Sequence, residues 1–148
     1  MTERLLANLH TLVALGYLAV LIHLTIYLKR FHGRPLGSIP AFSHLLVLFA
    51  LATNLIGWKI YIVYRQTIKR ELALSPLRWV PNLFDVKEHL GFFALVISLG
   101  LWVWVQLQRR LDAESQQRLS PAPLVWLNLA LVALIALIGM LTATYRNF

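Results

Sequence analysis

Four long uncharged stretches constrain this chain more than any other feature of its sequence. They run over residues 5–28, 35–58, 89–108 and 119–145. Because about 20 helical residues cross the hydrocarbon core of a bilayer, each stretch is long enough to span it once. Backbone groups in lipid must be satisfied within the segment, which an isolated strand cannot achieve. The sequence therefore predicts an all-α membrane protein, a single domain over residues 1–148 built as a four-transmembrane-helix bundle.

The overall composition agrees with a membrane environment. Hydrophobic residues make up 59% of the chain and charged residues only 14%, with a mean hydropathy of +0.67. Soluble domains carry roughly a quarter of charged residues. The first stretch is too long for the core of a signal peptide and no small-residue cleavage pattern follows it, so we expect it to be a retained span.

The residues flanking the stretches predict where the helices begin. A serine and a proline at 38–40 and at 120–121 suit the N-cap and first turn of the second and fourth helices. Asp85 precedes Glu88 by three residues, a capping-box spacing that starts the third helix inside the charged segment. The predicted spans are about 6–28, 41–64, 86–108 and 122–145.

The connection over residues 65–88 mixes charges with leucine, tryptophan and phenylalanine. This composition suits an interfacial segment lying along the headgroups, and equally an ordinary loop that its aromatic residues anchor. Alternating helices place this connection and both termini at one side of the membrane, here called the terminal face. The other side is called the opposite face.

The chain is strongly basic, with a net charge of +8 and a pI near 10.5. The basic residues gather at the helix ends, so we expect membrane lipid with anionic headgroups, and not nucleic acid, as their partner. They divide almost evenly between the two faces, which leaves the orientation open under the positive-inside rule. Without cysteine, the chain makes no disulfide, iron–sulfur ligation or c-type haem attachment.

Four histidines lie within or at the start of the apolar stretches. Helix direction places His10 and His89 toward the terminal face, and His23 and His44 toward the opposite face. His23 and His44 each lie roughly 6–9 Å inside a helix end, at matching depth. We therefore expect their imidazoles to meet between the first two helices.

Two imidazoles facing one another across a bundle are the axial ligands of a b-type haem, which needs no cysteine. The separation of His10 and His23 corresponds to about 20 Å of helix rise, which suits a second haem near the terminal face held by His10 and His89. The same separation turns the two side chains roughly 140° apart, so they must serve different neighbours. Met140 is an alternative sulfur ligand if His10 and His89 do not pair.

Other residues near these histidines suit a haem site. Gly16 and Gly100 share the helix faces of His23 and His89 and would let a macrocycle approach, although close helix packing is the commoner reason for glycine in a span. Haem propionates would find cations at both faces: the candidates are Arg4, Arg78 or Lys87 at the terminal face, and Lys29, Arg30 or Arg34 at the opposite face. His32 is a solvated loop residue or a propionate contact. The alternative for each intramembrane histidine is an interfacial polar residue or a hydrogen-bond donor between helices.

In span number, span size and these four histidines, the chain resembles the small four-helix membrane b-type cytochromes of bacterial electron-transfer chains. The thirteen-residue spacing departs from the fourteen usual in larger cytochrome b bundles. The resemblance implies one or two haem b groups, a bacterial inner membrane, and electron transfer between quinone and a partner redox subunit. It also implies a complex or homo-oligomer, and a redox carrier in place of a complete enzyme. The main alternative is a haem-free accessory or anchor subunit of a larger membrane complex, followed by a small transporter or a metal-handling protein.

Overall fold

The computed structural model describes residues 2–30, 39–67, 69, 72, 74, 77–111 and 120–143, with side chains from residue 4 onward. Four helices account for nearly all of them: α1 is Thr2–Arg30, α2 is Ile39–Thr67, α3 is Trp79–Gln108 and α4 is Ala122–Ala143. Each helix is long and apolar enough to cross a membrane, and the described residues contain no strand. The predicted all-α, four-helix architecture of an integral membrane protein is confirmed.

The helices form an up-and-down bundle. Each helix packs against the next one in the chain, and α4 returns to pack against α1. Buried positions recur at alternating steps of three and four residues, as in α3 at Ala94, Ser98, Leu101, Val105 and Gln108. This spacing is the seam of left-handed helix packing, in which one narrow stripe of each helix faces the bundle interior.

The start of α4 agrees with its predicted N-cap. Ser120 precedes the helix, and its Oγ accepts a hydrogen bond from the backbone N–H of Ala122 at 3.3 Å. Pro121 follows, where a missing N–H costs nothing. At α2 the helix begins at Ile39, and the serine at position 38 that we expected as its N-cap lies outside the described residues.

The expected capping box of α3 is wrong. The helix begins at Trp79, well before Asp85, and no side chain caps its N-terminus. Pro81 falls in the first turn, where its missing N–H is tolerated, so the proline does not delay the helix. The Asp85 carboxylate instead accepts the Tyr61 hydroxyl at 3.0 Å and pairs with the Lys69 ammonium group at 2.6 Å. The Asp85 carboxylate, which we expected to cap α3, therefore contributes to a tertiary contact between α2 and α3.

Candidate functional site

The two histidines expected to share a haem lie on the outer surface of the bundle. His23 and His44 are both exposed. The His23 ring contacts Phe42 of α2, with the ring centroids 4.8 Å apart, whereas the His44 ring contacts Trp102 of α3 at 6.0 Å. His23 therefore lies along the groove between α1 and α2, and His44 along the groove between α2 and α3. Their described contacts do not bring the two imidazoles together within one chain.

The burial pattern explains this placement. The inward stripe of α1 includes Leu21 and Leu24, and that of α2 includes Ser43 and Leu46. His23 and His44 fall between these positions, so helix geometry turns both histidines away from the interior.

His44 and His89 share a feature that suits a metal ligand. The Nδ1 atom of His44 lies 2.6 Å from the carbonyl oxygen of Pro40, and the Nδ1 atom of His89 lies 2.7 Å from that of Asp85. Because a carbonyl oxygen only accepts, Nδ1 is the donor in each bond, and in the neutral imidazole the lone pair is then on Nε2. Both rings are exposed. A histidine that binds a metal through one ring nitrogen usually donates the N–H of the other to a carbonyl or carboxylate.

His10 has a different environment, because its side chain faces the bundle interior. A Cβ atom placed on Gly57 of α2 would lie 3.2 Å from the His10 Cε1 atom and 3.7 Å from a carboxylate oxygen of Glu88. The imidazole and the carboxylate thus converge on the backbone of Gly57. His89, one residue beyond Glu88, is exposed. The structure does not show the two histidines expected to hold a second haem facing each other.

The two glycines proposed to admit a macrocycle have contrasting surroundings. A Cβ atom on Gly16 would meet the Phe49 ring at 2.5 to 3.1 Å, so this glycine serves the packing of α2 on α1. At Gly100 a Cβ atom would meet nothing within 4 Å, and this glycine faces outward.

The remaining candidates divide between surface and interior. Arg4 and Arg30 are exposed at the two ends of α1, and Met140 is 66% exposed on α4. Lys87 lies inside the bundle, with its ammonium group 4.3 Å from the centroid of the Phe84 ring. Arg34 and His32 lie outside the described residues.

Sequence reasoning missed a buried polar node formed by Tyr17, Ser98 and Asn128. The Tyr17 hydroxyl lies 2.6 Å from Ser98 Oγ and 3.2 Å from Asn128 Oδ1, and Asn128 Nδ2 donates to Ser98 Oγ at 2.8 Å. All three side chains are almost fully buried and come from α1, α3 and α4. The available signal was Asn128, an amide in an otherwise apolar span, because such residues face the bundle interior.

No family model, curated protein or solved structure matches this chain.

Proposed function

We propose that this protein is a membrane b-type cytochrome whose haem is held at the outer surface of the bundle, between His44 of one chain and a histidine of a neighbouring chain. The hydrogen bond from His44 Nδ1–H to the Pro40 carbonyl carries the proposal, because it leaves the Nε2 lone pair on an exposed ring for iron. Haem b would supply reversible one-electron reduction. This chain would supply the ligand, its orientation and an apolar environment.

The interior of a single bundle does not suit a haem between His23 and His44. Leu21, Leu24 and Leu46 are at most 3% exposed and fill the bundle at this depth. Iron can therefore reach the two histidines only from outside. In a pair of chains related by a two-fold axis, His44 of one chain and His23 of the other are the candidate ligands, since both are exposed and were predicted at equal depth.

The role that follows is an electron carrier between quinone and a partner redox subunit in a bacterial inner membrane. Arg30, exposed at the end of α1 nearest His23, would be the propionate partner. A chain built of spanning helices has little aqueous surface on which to receive an electron, so it would work within an assembly.

A reduced-minus-oxidised absorption spectrum of the purified protein tests this proposal. The wild type should show the sharp visible band of haem b, and His44→Ala should lose most of it while remaining inserted in the membrane. His10→Ala is the matched control, because His10 faces the interior and its loss should leave the band intact. Full haem content in both His44→Ala and His23→Ala would refute the assignment.

A haem-free accessory subunit is the second candidate. The hydrogen bonds among Tyr17, Ser98 and Asn128 favour it, because they join three helices directly. A bundle held together in this way does not need a cofactor to assemble. This candidate predicts no haem band in protein produced with ample haem, and co-purification with a larger membrane complex.

A further inference from the structure

A polar stripe lies on α3 where the helix reaches the opposite face. Trp102, Gln106 and Arg109 are spaced by four and three residues, so their side chains share one side of the helix. Arg109 directly follows α3, and its backbone N–H still bonds to the Val105 carbonyl at 3.2 Å, so helical spacing applies to it. The Trp102 ring contacts the His44 ring of α2, which places the stripe along the groove between α2 and α3. An aromatic ring, an amide and a guanidinium group therefore follow one another toward the aqueous phase, over about 10 Å of helix rise.

The Gln106 amide is only partly bonded. Arg109 Nη1 donates to Gln106 Oε1 at 3.4 Å, which is longer than the usual range for such a bond. This contact directs the oxygen toward Arg109 and leaves Gln106 Nε2 on the other side, buried and without an acceptor among the described residues. Buried donors rarely stay unbonded in native proteins, because each has given up its water. The amide is therefore ready for an acceptor that the described part of the chain does not supply.

The surroundings of this amide are positively charged. Arg109 and Arg110 are both exposed, and the helix ends at the opposite face contain no aspartate or glutamate among the described residues. The helix dipole by itself favours cations at the end of α3, but it gives no role to the amide donor one turn earlier. When the Gln106 oxygen is turned away, the amide and the guanidinium group present donors only. Such a set of donors recognises an oxyanion, and phosphate suits a guanidinium group especially well.

The depth of the stripe matches the headgroup region of a bilayer. Trp102, Trp104 and Trp126 all lie within two turns of a helix end at the opposite face. Tryptophan is enriched where the hydrocarbon meets the headgroups, so these three rings mark that level. Arg109 lies farther out than Trp102 along α3, which is where lipid phosphates are found. A zwitterionic lipid would bring its own cation next to two arginines, whereas an anionic lipid would not.

We propose that Gln106 and Arg109 bind the phosphate of an anionic phospholipid at the opposite face, in the groove between α2 and α3. The Arg109 guanidinium exchanges Gln106 Oε1 for phosphate oxygens. The amide then turns so that its N–H also donates to the phosphate, and the buried donor gains an acceptor. The sequence predicts anionic headgroups near the helix ends in general, whereas these two residues form one defined site. The site uses none of the proposed haem ligands and does not depend on haem.

Native mass spectrometry of the purified protein in detergent, titrated with dioleoyl phosphatidylglycerol, measures the affinity for this lipid. Arg109→Gln removes the guanidinium group of the site. Arg110→Gln is the matched control, because it removes the same charge at the adjacent exposed position without a described contact to Gln106. Gln106→Leu removes the amide and leaves the charge unchanged. Lipid retention is measured separately from haem absorbance, so a protein without haem leaves this test intact.

Arg110→Gln should raise the Kd for phosphatidylglycerol by at most about fivefold, which is the general effect of one cation near an anionic surface. Arg109→Gln should raise it by more than about tenfold, because charge-assisted hydrogen bonds to the phosphate are lost as well. Gln106→Leu should raise it by about three- to tenfold, since one neutral donor is lost. Dioleoyl phosphatidylcholine should bind the wild type more weakly than phosphatidylglycerol does.

Three results would overturn the site. The first is an equal loss of affinity in Arg109→Gln and Arg110→Gln, which would leave only general attraction to the headgroups. The second is unchanged affinity in Gln106→Leu. The third is displacement of the lipid by excess inorganic phosphate at matched ionic strength, which would assign the two residues to an oxyanion from the aqueous phase. Arg109 and Arg110 are exposed at a helix end, so the comparison between them does not depend on a change in the core.

Discussion

Among the described glycines, Gly16 is the one at which an added Cβ atom would lie nearest to a neighbouring side chain. A methyl group there would lie 2.5 Å from an edge atom of the Phe49 ring, well inside van der Waals contact. We expect Gly16→Ala to lower the free energy of unfolding by about 1 to 3 kcal/mol, because overpacking forces the partly buried Phe49 ring to move. Unfolding followed by circular dichroism in mixed detergent and dodecyl sulfate measures this change.

Gly100→Ala is the control for that substitution. Its methyl group would meet nothing within 4 Å, so the variant should be neutral or gain up to about 1 kcal/mol from helix propensity. A smaller side chain in Gly16→Ala/Phe49→Leu should restore most of the lost stability. If Gly16→Ala unfolds together with Gly100→Ala, the contact between Gly16 and Phe49 does not contribute to packing.

For individual residues, the sequence predicted which polar side chains lie within the apolar spans, but not whether each one faces the bundle interior or its outer surface. The depth of a residue in the membrane follows from counting residues along an apolar run. Whether a side chain faces inward depends on the stripe of buried positions, which advances by three and four residues along each helix. A uniformly apolar sequence does not reveal this stripe, because lipid-facing and interior positions are both apolar. His10 lies on the inward stripe, whereas His23 and His44 lie beside it and are exposed. The charge of Lys87 was predicted near a helix end, and its position inside the bundle was not.

At the scale of elements, the Tyr17, Ser98 and Asn128 node joins α1, α3 and α4, and Asn128 contributes two of its hydrogen bonds. Asn128→Leu keeps the number and branching of the side-chain heavy atoms and removes both bonds. We expect a loss of about 1 kcal/mol in unfolding free energy, since interhelical hydrogen bonds in membranes average about 0.6 and reach about 1.7 kcal/mol. The same detergent unfolding assay measures it.

Thr142→Val is the matched control on α4. Thr142 is equally buried, but its hydroxyl donates to the Ile138 and Gly139 carbonyls of its own helix, so its loss should cost less. A cycle combining Asn128→Leu with Tyr17→Phe should be non-additive, because the two side chains share a bond. Strict additivity would mean that the node does not couple the helices.

The helices themselves were largely predictable because an apolar run long enough to cross a bilayer has no soluble alternative. The structure extends α1, α2 and α3 beyond the predicted spans, through residues that include polar, charged and aromatic ones, since helices continue into the headgroup region where lipid no longer dictates composition. The largest difference is the start of α3. Because the helix begins at Trp79, Asp85 lies inside it and cannot cap it, and its carboxylate instead bonds to Tyr61 and Lys69.

At the scale of the whole molecule, the position of the histidines determines what kind of assembly a haem requires. His23, His44 and His89 are exposed on the outer surface of a bundle whose interior is filled at the depth of the first two by Leu21 and Leu46. An iron ligated from outside needs a second chain to complete its coordination and to exclude water. Haem content and association should then change together.

The proposed function predicts that protein extracted in mild detergent carries haem only in species larger than the 16.9 kDa chain after correction for bound detergent. Dissociation by dilution or by a harsher detergent should release haem in proportion to the monomer formed, because loss of the neighbouring chain removes one axial ligand. Size-exclusion chromatography with light scattering, read alongside haem absorbance in each fraction, measures both quantities at once. A monomer that keeps a six-coordinate haem spectrum would place both ligands in one chain and contradict the surface site, whereas large species without haem would favour the accessory subunit.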